Sequence, residues 1–159
     1  MFAIYLTLLG VIGTFVAPSV LHGQSTSRQV LNPPSLPPPR GYSHVVIAPP
    51  GRRVFISGQV SVDSLGAVVG AGDFRAQCVQ VFENLRRALG SAGATFADVV
   101  STSMYVTDLD NLATLREVRA RYLPTEAPPA STLVQVVALY RPELMIEIAV
   151  EAVLPEKPR

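Results

Sequence analysis

One acidic side chain interrupts an otherwise apolar run near the end of the chain. Glu147 follows Ile146 and precedes Ile-Ala-Val, in a segment that favours a β-strand. Burying an unpaired carboxylate is costly, so Glu147 must face solvent, a partner or a pocket. In a pocket, this carboxylate would be a candidate for acid–base chemistry. Glu151, further along the same face of the strand, is expected to be exposed near the strand end.

The other potentially reactive side chains form no recognisable catalytic or metal-binding set. The only histidines are His22 and His44, and the single cysteine, Cys78, excludes an internal disulfide and a cysteine metal cluster. Ser131 has no histidine or aspartate in a pattern that would activate it as a nucleophile. The sequence therefore predicts neither a metal site nor a cofactor.

The charge distribution gives no indication of a nucleic-acid partner. Thirteen Lys and Arg residues balance twelve Asp and Glu residues, which leaves a formal net charge of +1. The basic pairs Arg52-Arg53 and Arg86-Arg87 are separated along the chain, and each is typical of a solvated position. A nucleic-acid surface would need a basic stripe or patch.

Residues 1–23 have the composition of a signal peptide. Residues 2–20 are apolar and uncharged, and a polar stretch follows them, which predicts export to the periplasm or the exterior. Cleavage could follow Ser19 or Gly23. The segment is nearly long enough to span a bilayer and has no Lys or Arg before it, so an uncleaved membrane anchor through residues 2–20 is an alternative, as is a start codon assigned too early.

Residues 24–41 are expected to form a linker. Five prolines between positions 31 and 41 remove backbone N–H groups that a helix or a sheet would need. This favours an extended polyproline II spacer over a docking site for a proline-reading module. The folded domain is then expected over residues 42–155, followed by a tail of residues 156–159. The length suits a single hydrophobic core.

Hydrophobic periodicity within 42–155 predicts seven elements in the order β-β-α-β-α-β-β. Asp73 is the expected N-cap of the first helix, whose apolar positions recur every three or four residues and which leaves Gln77 on its wet side. The stretch 63–72 contains three glycines without the spacing of a phosphate-binding loop, and is interpreted as a loop. The elements are a hairpin of strands 43–49 and 53–62, a helix from 74, a strand at 98–107, a helix at 111–122, and strands at 132–139 and 145–154.

This order predicts an α+β fold with one mixed sheet and two helices on a single face. The opposite face of the sheet would have nothing to cover it. Since apolar residues are expected on both faces, that face should be buried against identical subunits, so we expect a homo-oligomer.

Several segments of the chain together have a specific order and spacing. They are GYSHVV (41–46), VFISGQVSVD (54–63), VFENLRRALGSAGA (81–94), DVVSTSMYVTDLDNL (98–112), RYLP (121–124) and MIEIAVEAV (145–153). In this order and spacing the sequence resembles the RidA (YjgF) family over roughly residues 41–154. The resemblance implies a trimer with three sites at subunit interfaces and, in well-studied members, hydrolysis of reactive enamines and imines to keto acids and ammonia.

The resemblance also implies roles for particular residues. Tyr42 matches the tyrosine of the family pocket, and Gly58, in Ser-Gly-Gln, matches a glycine whose backbone faces the ligand. Glu147 matches the carboxylate thought to position or activate the hydrolytic water.

One family feature is missing from this sequence. Where the family pattern has an arginine that grips the substrate carboxylate, this chain has Ser131 or, with a shift of one residue, Ala130, and Thr132 follows. No arginine lies between Arg121 and Arg141. Each hydrogen bond to a charged group contributes about 1.5 to 3 kcal/mol, so binding of a 2-imino acid should be weakened at least tenfold.

These observations predict a Rid-type hydrolase with an altered substrate class, in which Glu147 acts on water and Tyr42, Gly58, Ser131 and Thr132 bind the ligand. The alternative is a non-catalytic ligand-binding or scaffold trimer. An arginine from an adjacent loop, such as Arg141, could also replace the missing one.

Overall fold

The structure is a computed structural model that describes residues 28–155. The predicted signal peptide or anchor (1–23) and the predicted tail (156–159) lie outside the described residues. Within 28–155, no helix is both long and apolar enough to cross a membrane.

The described chain contains six strands and two α-helices, joined by two short 3-10 helices (Phe96–Asp98 and Leu109–Asn111). The elements are β1 (Gln29–Leu31), β2 (Val45–Ile47), β3 (Gly51–Val60), α1 (Phe74–Ser91), β4 (Val99–Val106), α2 (Leu112–Arg119), β5 (Ala130–Gln135) and β6 (Ile146–Pro155).

Four strands form one mixed sheet in the order β3-β6-β4-β5. β6 is antiparallel to both of its neighbours, whereas β4 and β5 are parallel. The chain passes from β3 to β4 through α1 and from β4 to β5 through α2, each time in the same direction across the sheet. Right-handed crossovers in one direction place both helices on the same face. The predicted α+β fold with one mixed sheet and two helices on one face is confirmed.

The predicted hairpin is wrong in its pairing. β2 pairs with β1 in a separate two-stranded sheet, with Gln29 opposite Ile47, and β3 pairs with β6. Pro49 and Pro50 lie between β2 and β3, and a proline has no N–H to continue a ladder. β3 therefore finds its partner in β6, a strand of the same ten-residue length.

Part of the segment predicted as a linker is attached to the folded domain. The Arg28 guanidinium donates two 2.6 Å hydrogen bonds, to the carbonyl oxygens of Val99 and Ala127. β1 follows directly, and the Asn32 side-chain oxygen accepts a 2.9 Å hydrogen bond from the backbone N–H of His44. Side-chain hydrogen bonds thus hold a proline-rich segment that has few backbone donors of its own.

The core lies between the helices and one face of the sheet. Asp73 caps α1 as predicted, its carboxylate accepting from the N–H of Ala76 at 3.0 Å. α2 ends at Arg119, earlier than predicted, but Tyr122 still packs on the core and stacks on Phe82 with a centroid distance of 4.8 Å. Fully buried core side chains include Val81, Phe82, Leu85, Leu89, Val99, Met104, Leu115, Ile146 and Ile148.

Gln77 lies in the core, although the helical pattern predicted it on the wet side. It is 0% exposed. Its side-chain nitrogen donates to the carbonyl oxygen of Glu143 at 2.7 Å, and its side-chain oxygen accepts from the backbone N–H of Met145 at 2.9 Å. Gln77 therefore supplies both partners that the backbone needs just before β6 begins.

We expect Gln77→Leu to lower the free energy of unfolding by about 2 to 4 kcal/mol, because it leaves a buried carbonyl and a buried N–H without partners. Urea unfolding measures this. The matched control on the exposed side of α1, Arg87→Gln, should change stability by no more than about 0.5 kcal/mol. Equal effects of the two substitutions would contradict the role given to Gln77.

Cys78, also on α1, is fully buried, and burial raises its pKa to about 12. The thiol should therefore stay protonated at pH 8, where an exposed cysteine is partly thiolate. We expect iodoacetamide to leave Cys78 unmodified in the folded protein and to alkylate it fully in urea, as measured by intact mass. Rapid alkylation of the folded chain would show that this helix face opens.

Candidate functional site

A β-bulge in β3 brings Gly58 close to β6. Ile56 is opposite Val150 and Gln59 is opposite Ile148, so β3 contains one residue more than β6 over this interval. A Cβ atom on Gly58 would lie 1.9 Å from Oε1 of Glu147 and 2.9 Å from its Cγ. Only glycine allows the backbone of β3 to approach this carboxylate so closely.

Glu147 lies on the face of the sheet that is opposite the helices. Its neighbours on β6, Ile146 and Ile148, are both 0% exposed on the core face, and side chains alternate along a strand. Within residues 28–155, the Glu147 carboxylate makes no ion pair. By contrast, Glu151 on the same face pairs with Arg53 at 3.1 Å. Glu147 is therefore the unneutralised carboxylate of this face.

Tyr105, which the sequence did not indicate as a site residue, is the β4 residue directly opposite Glu147. It is 37% exposed on the same open face. An aromatic residue among the alternating polar residues of β4 was the available signal. Tyr105 adds a ring and a hydroxyl to the surroundings of the carboxylate.

The open face also contains a shallow cavity of about 220 Å³ near the middle of the sheet. This face is more polar than predicted, because small hydroxyl side chains occupy positions where apolar residues were expected. The lining of this cavity includes Phe55, Ser57, Ser101, Ser103, Ala149 and Glu151.

Tyr42 lies beside β5, the edge strand on the other side of the sheet from β3. The next residue, Ser43, forms a bridge with Ala130 at the start of β5, and its hydroxyl donates to the carbonyl oxygen of Pro128 at 2.7 Å. The Tyr42 ring packs edge-on against His44, with 5.3 Å between ring centroids. Tyr42 is thereby held beside the segment that contains Ser131 and Thr132.

Ser131 and Thr132 face opposite sides of β5. The Ser131 hydroxyl accepts a 2.9 Å hydrogen bond from the hydroxyl of Thr102, which is 2% exposed. Thr132, opposite Ser103, is exposed on the open face. The position that matches the missing arginine is therefore engaged with a buried hydroxyl, and Thr132 is the residue that faces the open surface.

Within one protomer, the predicted site residues form two separate groups. Gly58 and Glu147 lie on β3 and β6, whereas Tyr42, Ser131 and Thr132 lie at the β5 edge. Across two strand spacings and two residues along the strand, the Cα atoms of Glu147 and Thr132 are about 12 Å apart, so these residues are not neighbours on the open face.

Arg141 is engaged elsewhere. It donates a 2.9 Å hydrogen bond to the carbonyl oxygen of Gly66, and its Nε lies 3.8 Å from the Glu143 carboxylate. The loop before β6 thus holds Arg141 against the loop that follows β3. In residues 28–155, moreover, no group of three or more potential metal ligands comes together.

Comparison with known proteins identifies the family. The family described as Endoribonuclease L-PSP matches residues 34–154. The chain belongs to this family, which is the Rid (YjgF) family. A RutC family protein of Pyrococcus horikoshii is 34% identical over 122 residues, covering 76% of this chain and 94% of that protein.

Solved structures of Rid proteins have the same fold. The Rid family protein YyfB of Yersinia pestis is 42% identical with a TM-score of 0.74, over 80% of this chain and 98% of that one. TdcF of Escherichia coli, solved with bound serine, is 30% identical with a TM-score of 0.58, over 64% of this chain and 81% of that one.

Gly58→Ala tests the contact between β3 and the carboxylate. We expect the added methyl group to turn the Glu147 side chain away and to lower the free energy of unfolding by about 1 to 3 kcal/mol. A crystal structure of the variant and urea unfolding measure the two effects.

The matched control is Gly90→Ala on α1, where an added Cβ meets nothing within 4 Å. This substitution should stabilise the helix by about 0.5 to 1 kcal/mol. An unmoved Glu147 carboxylate in the Gly58→Ala crystal would refute the close contact.

Proposed function

We propose that this Rid family chain is a small-molecule hydrolase of the enamine and imine deaminase type, acting on substrates other than 2-imino acids. The observation that carries the proposal is the unneutralised Glu147 carboxylate on an open sheet face, held against the glycine backbone of a β-bulge. Among the residues that the structure describes, no cation pairs with this carboxylate, which suits a general base.

The chemistry requires only water and one carboxylate. Glu147 accepts a proton from water as the oxygen bonds to the imine carbon, and the proton then passes to the nitrogen. Glu147 then accepts the hydroxyl proton of the resulting carbinolamine and passes it to the nitrogen, so that the C–N bond breaks, ammonia leaves and the C=O bond forms. Atoms balance as imine plus water to carbonyl compound plus ammonia, and Glu147 ends in its starting state.

We further propose that the site is completed in a homotrimer. Tyr42 and Thr132 lie at the β5 edge, far from Glu147 within one protomer, and packing of the β5 edge of one subunit beside β3 and β6 of the next would bring the two groups together. The exposure of Phe55 (65%) and Val134 (43%) on the open face supports such packing. Size-exclusion chromatography with light scattering measures the oligomeric state.

The proposed change in substrate class follows from the segment around β5. With no arginine between Arg121 and Arg141, and with the Ser131 hydroxyl bonded to Thr102, a substrate carboxylate has no guanidinium to bind there. An uncharged imine or enamine avoids this loss. The net charge of +1 does not favour the RNA substrate that the family description suggests.

We also propose that the chain is exported, with residues 1–23 acting as a signal peptide or residues 2–20 as an anchor. The uncharged apolar composition of residues 2–20 supports this. N-terminal sequencing of the protein from its own cells distinguishes cleavage from anchoring, and recovery in the cytoplasmic fraction would oppose both.

The purified protein should accelerate the hydrolysis of an uncharged imine more than that of 2-iminobutanoate generated in place by a dehydratase. Glu147→Gln should reduce the rate by about 10²- to 10⁴-fold, the range expected for a general base. Appearance of the carbonyl product, compared with the spontaneous rate, measures both.

Glu151→Gln is the matched control, because Glu151 lies on the same strand face but is paired with Arg53. It should leave the rate unchanged. Strong catalysis with 2-iminobutanoate would oppose the change in substrate class. If neither imine is hydrolysed faster than in buffer, and Ser131→Arg restores nothing, the protein is the non-catalytic ligand-binding trimer instead.

A further inference from the structure

A second cavity lies on the helical side of the molecule, away from Glu147. It has a volume of about 290 Å³ and opens between the C-terminal end of α2 and the segment that precedes Tyr42. Its lining includes Arg40, Arg116, Arg119, Leu123, Pro124 and Thr125. Three arginines from two distant parts of the sequence therefore line one cavity.

None of these three arginines has a counter-charge among residues 28–155. Their arginine neighbours differ, since Arg75 and Arg121 both bind the carboxylate of Glu117, each at 2.6 Å. These two contacts lower the pKa of Glu117 to about 2. Glu117 is therefore paired with two arginines outside the cavity and not with those that line it.

Arg119 is positioned by the backbone that faces it. Gly41 has a φ of +74°, and a Cβ atom at this position would lie 2.3 Å from a terminal nitrogen of Arg119. The guanidinium donates to the carbonyl oxygen of Arg40 at 3.4 Å. Burial and, to a lesser extent, the charge of Arg116 both lower the pKa of Arg119.

Helix capping does not account for the cluster. Arginines in a last helical turn do interact favourably with the helix dipole. The terminal carbonyls of α2 already accept from backbone N–H groups, however, with Ala120 bonded to Arg116 and Leu123 bonded to Arg119. The dipole also gives no reason for Arg40, which comes from a different segment.

We propose that the cavity lined by Arg40, Arg116 and Arg119 binds a phosphate group, free or as the head group of a lipid. Three cationic residues, two from α2 and one from the segment before Tyr42, line one small cavity, which suits a dianion better than a monoanion. The cavity has a volume of about 290 Å³ and the three arginines line this one cavity, which fits a small anion and not the long backbone of a nucleic acid. The site is independent of Glu147 and of the hydrolase function.

Calorimetric titration of the full-length chain with inorganic phosphate tests this, in non-ionic detergent because residues 2–20 are apolar. We expect binding that acetate and chloride at equal ionic strength do not reproduce. Arg40→Gln and Arg116→Gln should each weaken it about tenfold, as expected for loss of a charged hydrogen bond. Both residues are exposed, so the variants should fold.

Arg52→Gln is the matched control, since Arg52 is an exposed arginine outside the cavity. It should bind phosphate as the unmodified chain does. Glycerol phosphate in solution and vesicles containing phosphatidylglycerol then distinguish a free ligand from a lipid head group.

Three results would overturn the proposal. They are phosphate binding no tighter than chloride, equal weakening by Arg52→Gln, and tight binding of a single-stranded RNA that inorganic phosphate does not compete away.

Discussion

Both helices pack on one face of the four-stranded sheet, and this one-sided packing determines where polar groups can lie. The helix-side residues of β4 and β6 form the core with α1, so Met104, Ile146 and Ile148 are almost fully buried. The alternate residues then face away from the core. Because side chains alternate along a strand, a helix on one side places Glu147 and Tyr105 together on the other.

The bulge in β3 converts this arrangement into a defined site. An extra residue between Ile56 and Gln59 shifts the register, and the absence of a side chain at Gly58 lets the strand backbone meet the Glu147 carboxylate. The sheet continues on both sides of the irregularity. Glu147 is therefore held by paired strands and not by a loop.

The two candidate sites differ in the sign of their charge. Five of the eleven arginines in residues 28–155 lie within 4 Å of a carboxylate, as Arg53 does of Glu151 and Arg86 of Glu83. Two places on the described surface combine charge with an open cavity or face: the Glu147 carboxylate on the open sheet face, and Arg40, Arg116 and Arg119 beside α2. Isolated charges of opposite sign at two separate places are consistent with two ligands of different chemistry.

Much of the fold could be predicted from local pattern. The helical period from Phe74, the Asp73 cap and the alternating strand of Glu147 depend on neighbours a few residues away, and all three match the structure. The same holds for the family, since its motifs are contiguous. The sequence by itself thus determined the element types, the sheet with two helices on one face, and Glu147 and Gly58 as candidates.

Only the tertiary structure decided which distant groups meet. Gln77 has a helical position that resembles its exposed neighbours, yet the backbone just before β6 gives it two buried partners. The Ser131 hydroxyl turns to Thr102, and Arg40 meets Arg116 and Arg119 across more than seventy residues. Helical period and strand propensity depend on nearby residues. The pairing of β1 with β2 and these contacts depend instead on which distant residues the fold brings together.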